Sequence, residues 1–181
     1  MQLEEINKTR YRQHLNRVII GFILVFALLS LGFSSVLISL FSEQGVNVIM
    51  ADGTGETSSN FKYNFLGVML ALLACAAILH SLKSHAYFKE IYYVWQAKQV
   101  QNLIYRKLKK IKVAAFENND VNAMIILNYY YASLKQVYLL DDNTLTLTKV
   151  TKEHQQLIDL IERNNIDVNG QPFNKTMLNV Y

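Results

Sequence analysis

Four histidines, His14, His80, His85 and His154, are the side chains suited to moving a proton near neutral pH. They fall in four separate regions, with no HExxH, CxxC, glycine-rich phosphate loop or nucleophile elbow beside them. No ligand set with metal-binding spacing is present either, so no cofactor is expected. Asp141 and Asp142 are adjacent carboxylates just past a predicted helix end. Such a pair can hold a cation or do acid–base work, but is more often a solvated turn. The lone cysteine, Cys75, excludes an intrachain disulfide framework and reads as a small buried residue in an apolar run. These residues predict a protein that is not an enzyme.

Binding chemistry has more to work with. Arg106, Lys107, Lys109, Lys110 and Lys112 cluster on one predicted helix, with Lys98, Arg106, Lys109 and Lys112 beside its apolar stripe. A solvated face is the plainest reading of that charge. Anionic lipid is a second, if the helix lies near a membrane. Nucleic acid is a third, and needs charge and stacking rings on one open surface. Rings occur at Tyr92-Tyr93 and Tyr129-Tyr130-Tyr131. Three successive tyrosines cover most of a helix circumference, so at least one should be exposed or meet a partner. Tyr129, Tyr130 and Tyr131 are therefore candidate protein contacts.

The elements that must position these groups begin with two apolar runs. Val18 to Phe41 holds 24 residues without a charge, and Tyr63 to Leu82 holds 20. Helices of these lengths match a hydrocarbon layer of about 30 Å. The sequence thus predicts an all-α membrane protein with two transmembrane helices and a small cytoplasmic helical domain. The formal charge of +4 is uneven: +2 over residues 1–17, −2 over 42–62, +7 over 83–112 and −3 over 113–181. Basic residues at the outer ends of the pair place both termini in the cytoplasm and residues 42–62 outside. The first run is longer than a signal-peptide core and offers no clear cleavage site. No charge lies between Tyr63 and Lys83, and an ion pathway usually needs one at depth. Gly67, Ala71 and Cys75 form a small-residue stripe that lets helices approach. Val46 to Met50, in the glycine-rich loop, reads as a brief strand or a surface-lying piece.

The organisation that follows is a basic N-terminal segment (1–17), the two runs (18–41 and 63–82) with their loop (42–62), a helical domain (83–165) and a tail (166–181). The N-terminal segment either lies at the headgroups or extends the first run. A bend is expected around Ser81 to Ser84, then a long helix from about Ala86 to Phe116. Asp120 or Asn119 can cap the next helix, Val121 to about Leu140, giving an antiparallel hairpin. Thr144 to Thr148 alternates like a strand and is expected to bridge to a third helix, capped by Thr148 or Thr151 and ending near Asn164-Asn165. Phe173, Met177 and Leu178 could pack back on the helices.

The stretches EINKTRYRQHLNRV, NFLGV, YVWQAKQVQNLIYRKLKKIK, DVNAM and LDDNTLT resemble a family of uncharacterised two-span membrane proteins of Gammaproteobacteria. The likeness covers most of the chain and is weakest in the outer loop. It implies a Gram-negative inner-membrane location and transfers no functional residues. The leading expectation is a membrane-anchored helical scaffold or adaptor that contacts a protein partner or its own copies. The alternatives are an oligomeric transporter or channel subunit, and a tethered binder of anionic lipid or nucleic acid through residues 98–112.

Overall fold

A computed structural model describes residues 3–42, 60–168 and 172–181. The loop expectation at Val46 to Met50 lies outside the described residues. The elements are α1 (Lys8–Phe41), α2 (Phe61–Leu82), a 3-10 turn (Ala86–Phe88), α3 (Lys89–Glu117), α4 (Val121–Leu140), α5 (Thr144–Arg163) and a C-terminal 3-10 helix (Lys175–Val180). The all-α class is as expected: two long helices near the N-terminus, then a helical bundle. Two units result, one of Leu15–Phe88 and one combining Met1–His14 with Lys89–Tyr181.

In the first unit, α1 and α2 are both long and apolar enough to cross a membrane. Only 6% and 17% of their most apolar stretches are buried. A core helix of a water-soluble domain would be mostly covered, whereas Leu28 and Leu31 here are each 69% exposed. The two helices meet through the small residues read from the sequence: Gly67, Ala71 and Cys75 are buried. A Cβ added to Gly67 would lie 2.6 Å from the Ser34 backbone nitrogen, so only glycine permits this crossing. The Ser34 hydroxyl donates to the Asn64 carbonyl at 3.3 Å, and the Ser42 hydroxyl to Asn60 Oδ1 at 3.2 Å. After Leu82 the helix breaks into a turn and the short 3-10 stretch, where the serines predicted a bend.

In the second unit α4 is the central element, with α3 on one side and α5 on the other. Twelve of its twenty residues are buried, as a helix covered on several sides requires. Met124, Ile126, Leu127, Ile104, Ile111 and Leu157 are fully buried, each worth about 1.5–3 kcal/mol by removal from water. α4 has the predicted bounds, and its cap is Asp120, whose Oδ1 accepts from the Asn122 and Ala123 amides at 2.8 and 3.3 Å. The phenol of Tyr181 donates to Asp120 Oδ2 at 2.8 Å, so the chain end braces that cap. Val168, Phe173 and Leu178 are buried against the bundle, as the apolar tail residues suggested.

Helices end where the backbone turns left-handed, at Asn119 (φ 53°), Asp142 (φ 56°) and Asn165 (φ 53°). Asn and Asp tolerate that region best after glycine. The Asn143 and Ile166 amides then reach back to the Tyr138 and Ile161 carbonyls, at 2.9 and 3.1 Å. Because α4 stops at Asp142 in one tight turn, Thr144 begins α5 directly. The expected bridge at Thr144 to Thr148 is therefore corrected to the first turns of the third helix, and neither Thr148 nor Thr151 is its cap. Its buried residues Val150, His154, Leu157 and Ile161 step by four, three and four, and that single stripe holds the whole run helical.

Residues 3–14 belong to this unit as well. Tyr11 is 2% exposed. The Glu4 amide donates to the Tyr93 hydroxyl at 2.9 Å, that hydroxyl donates to Gln136 Oε1 at 3.1 Å, and the Gln136 amide donates back to the Glu4 carbonyl. α1 is continuous through Lys8 to Phe41, so the N-terminal segment extends the first long helix.

Candidate functional site

Two features of the bundle gather the polar residues singled out by the sequence: a charged turn and an aromatic groove. The turn is Asp141-Asp142, between α4 and α5. Asp142 pairs with Lys8 and Arg12, and Asp141 takes Lys98 at 2.7 Å and the Tyr11 hydroxyl at 3.3 Å. Nearby, Arg10 Nε donates to Glu90 Oε1 at 2.7 Å. Lys8 and Arg12 hold the Asp142 carboxyl below the usual carboxylate range. Burial first, then the Asp141 charge, pushes the Tyr11 phenol up to about 12. Tyr11 is therefore a fixed donor, and both carboxylates are spoken for by cations from residues far away in the chain. The arrangement fastens the N-terminal segment to the bundle.

The groove runs between α3 and α4, has a volume of about 500 Å³ and is lined by Lys98, Tyr105, Tyr130, Leu134, Tyr138 and Asp141 among others. Tyr105 is 67% exposed at its rim. Tyr130 is the member of the tyrosine triplet that faces it. Against expectation, all three triplet rings are buried, at 8%, 6% and 2% exposed. The reason is that α4 is covered on three sides. Tyr129 stacks on Phe173 of the tail at 4.4 Å between centroids, and Tyr131 turns toward α5 to donate to Glu153 at 3.1 Å. Burial pushes Tyr129 and Tyr130 up to about 12 and raises Tyr131 as well, where the Glu153 charge adds to it. All three stay protonated at neutral pH and act as apolar plates with one donor each.

The basic helix divides in two. Lys98 is held by Asp141, and Lys112 by Glu153 at 2.9 Å. Lys107 donates to the Leu178 carbonyl at 2.7 Å. Burial works against ionisation of Glu153, yet Lys112 and the Tyr131 hydroxyl outweigh it and leave the carboxyl below its ordinary range. Arg106, Lys109 and Lys110 are exposed and make no ion pair or hydrogen bond among the described residues.

The histidines remain apart. His80 Nε2 lies 3.1 Å from Lys83, and His85 Nδ1 accepts from the Tyr87 amide at 3.2 Å. His154 is buried in the bundle with Nε2 2.8 Å from Asn128 Oδ1, and its Nδ1 is buried without a partner. Burial, and then the Lys135 charge, lower its pKa, so the neutral ring is the resting form. Among the described residues no three His, Cys, Asp or Glu side chains gather where they could hold a metal ion. The geometry offers one pocketed surface of rings and one exposed row of cations.

The signal that reading the sequence missed is the fastening of residues 3–14. Their cations read equally well as an orientation signal, because nothing local marks a partner more than a hundred residues away. No curated protein and no solved structure matches the chain. A family model described as "Protein of unknown function (DUF3087)" matches residues 1–178, and the chain belongs to that family.

Proposed function

We propose that this protein is a membrane-anchored helical adaptor. α1 and α2 cross the inner membrane, both termini lie in the cytoplasm, and the bundle presents the α3–α4 groove to a protein partner. Three observations support the reading. The apolar faces of α1 and α2 are uncovered. Residues 3–14 and 89–181 share one folded unit, which two crossings permit and a single crossing forbids. The basic excess flanks that unit's side of both apolar helices, as a cytoplasmic side requires.

The observation that carries the adaptor role is the groove. Tyr105, Tyr130 and Tyr138 give it large, stiff, amphipathic rings, with Lys98 and Asp141 at one end to fix direction. Rings of this kind dominate protein recognition because they bury much area at low entropic cost. A photo-crosslinking residue in place of Tyr105 tests the proposal in intact membranes. It should give a discrete adduct that the same probe at Lys152, on exposed α5 surface, does not. Identical patterns at the two positions would refute the groove as the contact.

A further inference from the structure

We propose that the outward face of α3 docks on an anionic lipid surface, with Arg106, Lys109 and Lys110 on headgroup phosphates and the Tyr92–Trp95 pair at the boundary between headgroups and acyl chains. The proposal rests on the membrane anchor inferred above and adds a second, peripheral attachment to it.

The face is defined by what the bundle leaves over. α3 buries Val94, Ala97, Ile104 and Ile111. At 100° per residue the opposite side carries Tyr92, Trp95, Leu103, Arg106 and Lys110, with Lys109 at its edge. Trp95 is 53% exposed and Leu103 43%. No acidic residue occurs between Glu90 and Glu117, so nothing on α3 itself neutralises this row. Nor does the rest of the bundle. Acidic side chains reach Lys98 and Lys112, but among the described residues none reaches Arg106, Lys109 or Lys110. A helix with exposed apolar groups and an unneutralised basic row suits the plane of a membrane interface.

Two features favour lipid over nucleic acid. The Tyr92 and Trp95 rings already stack on each other, 5.6 Å apart and 16° from parallel. Each ring covers one face of the other, so the pair stands as a single amphipathic block rather than as a row of separate platforms. Their amphipathic edges remain, and tryptophan and tyrosine favour the headgroup level. The second feature is the tether. Residues 83–88 alone separate the end of α2 from the start of α3. Six residues reach at most about 20 Å, so α3 begins beside any membrane that α2 crosses. The local concentration of headgroups is then high without any affinity to establish it.

The test uses Trp95, the only tryptophan in the chain. The full-length protein is reconstituted into liposomes of phosphatidylcholine alone, or of phosphatidylcholine with phosphatidylglycerol, each carrying lipids brominated near the headgroup. Three cations at the surface should shift docking by roughly a hundredfold between the two compositions. Trp95 emission should be quenched and blue-shifted only with phosphatidylglycerol. The R106Q/K109Q/K110Q variant should lose that quenching while its circular dichroism stays unchanged. The charge reversal R106E/K109E/K110E should lose it as well. Equal quenching in both compositions would overturn the proposal, as would quenching that survives both variants. Relief of quenching by an equimolar oligonucleotide would do so too, by assigning the face to nucleic acid. Alkaline carbonate separates this from failure of the anchor. A chain that resists extraction yet shows no quenching refutes the docking alone, whereas a chain stripped from the vesicles refutes the anchor and the docking together.

Discussion

Replacing Ser133 by alanine should loosen the α3–α4 pair far more than the loss of one oxygen atom suggests. Ser133 is fully buried, and its hydroxyl accepts from the Gln101 amide at 2.8 Å across the two helices. Gln101 is itself only 8% exposed, so little water is at hand to replace the lost acceptor. A stranded buried donor costs about 1–3 kcal/mol. That corresponds to an opening equilibrium about 5- to 150-fold larger for the amides of α3 and α4. Hydrogen exchange with mass spectrometry on the full chain in detergent reads this directly, with α1 and α2 peptides as internal controls. A second variant isolates the cause. Gln101→Met removes the stranded amide with little change of volume, so the double variant Q101M/S133A should return most of the protection. If Ser133→Ala exchanges like the parent, the buried bond contributes nothing. If the double variant is no better than the single, the cost is packing and the polar argument fails.

Acid should weaken the bundle through His154. The unfolded chain takes up a proton near pH 6.5, while burial delays uptake in the folded ring to lower pH. The unfolded state therefore binds more protons in that interval, and stability falls as pH drops through it and is fully present above it. Protection of α5 amides, corrected for intrinsic exchange, should decline as pH falls below about 6.5, and His154→Gln should flatten the profile. Charge reversal at the turn, Asp142→Lys, should free residues 3–14 by repelling Lys8 and Arg12. Limited proteolysis should then cut within that segment first, with α4 protection retained. Added salt should mimic the variant in the parent chain, because these side chains are about half-exposed and screened at short range.

The parts of the fold legible in the sequence are those with a local cause. The uncharged runs set α1 and α2, and the small stripe Gly67, Ala71, Cys75 set the face on which they meet. The bounds of α4 follow from Asp120, which offers a cap, and Asp142, which tolerates the left-handed turn. What stayed hidden depends on distance or on competition. Thr144 to Thr148 has β-type residues in alternation, and only the stripe continuing through Val150 and His154 makes it helical. The tyrosine triplet looked too wide to hide, because the sequence brings Phe173 back to the helices without showing that it would stack on Tyr129. The cations of α3 looked equivalent, yet their division into paired and unpaired members is set by Asp141 and Glu153 on other helices. The groove likewise exists only once Tyr105 and Tyr130 are brought side by side.

Fastening the first residues to the last helices dictates an order of events during synthesis. Lys8 leaves the ribosome 134 positions ahead of Asp142. In the interval the turn that will hold its charge does not yet exist, and α1 and α2 are complete before the bundle can close. Native structure is thus completed from the back, when the late-made corner recaptures the early-made leader and closes the loop of chain between them. A bulky fusion ahead of Glu4 would obstruct that last step while leaving the packing of α1 on α2 untouched.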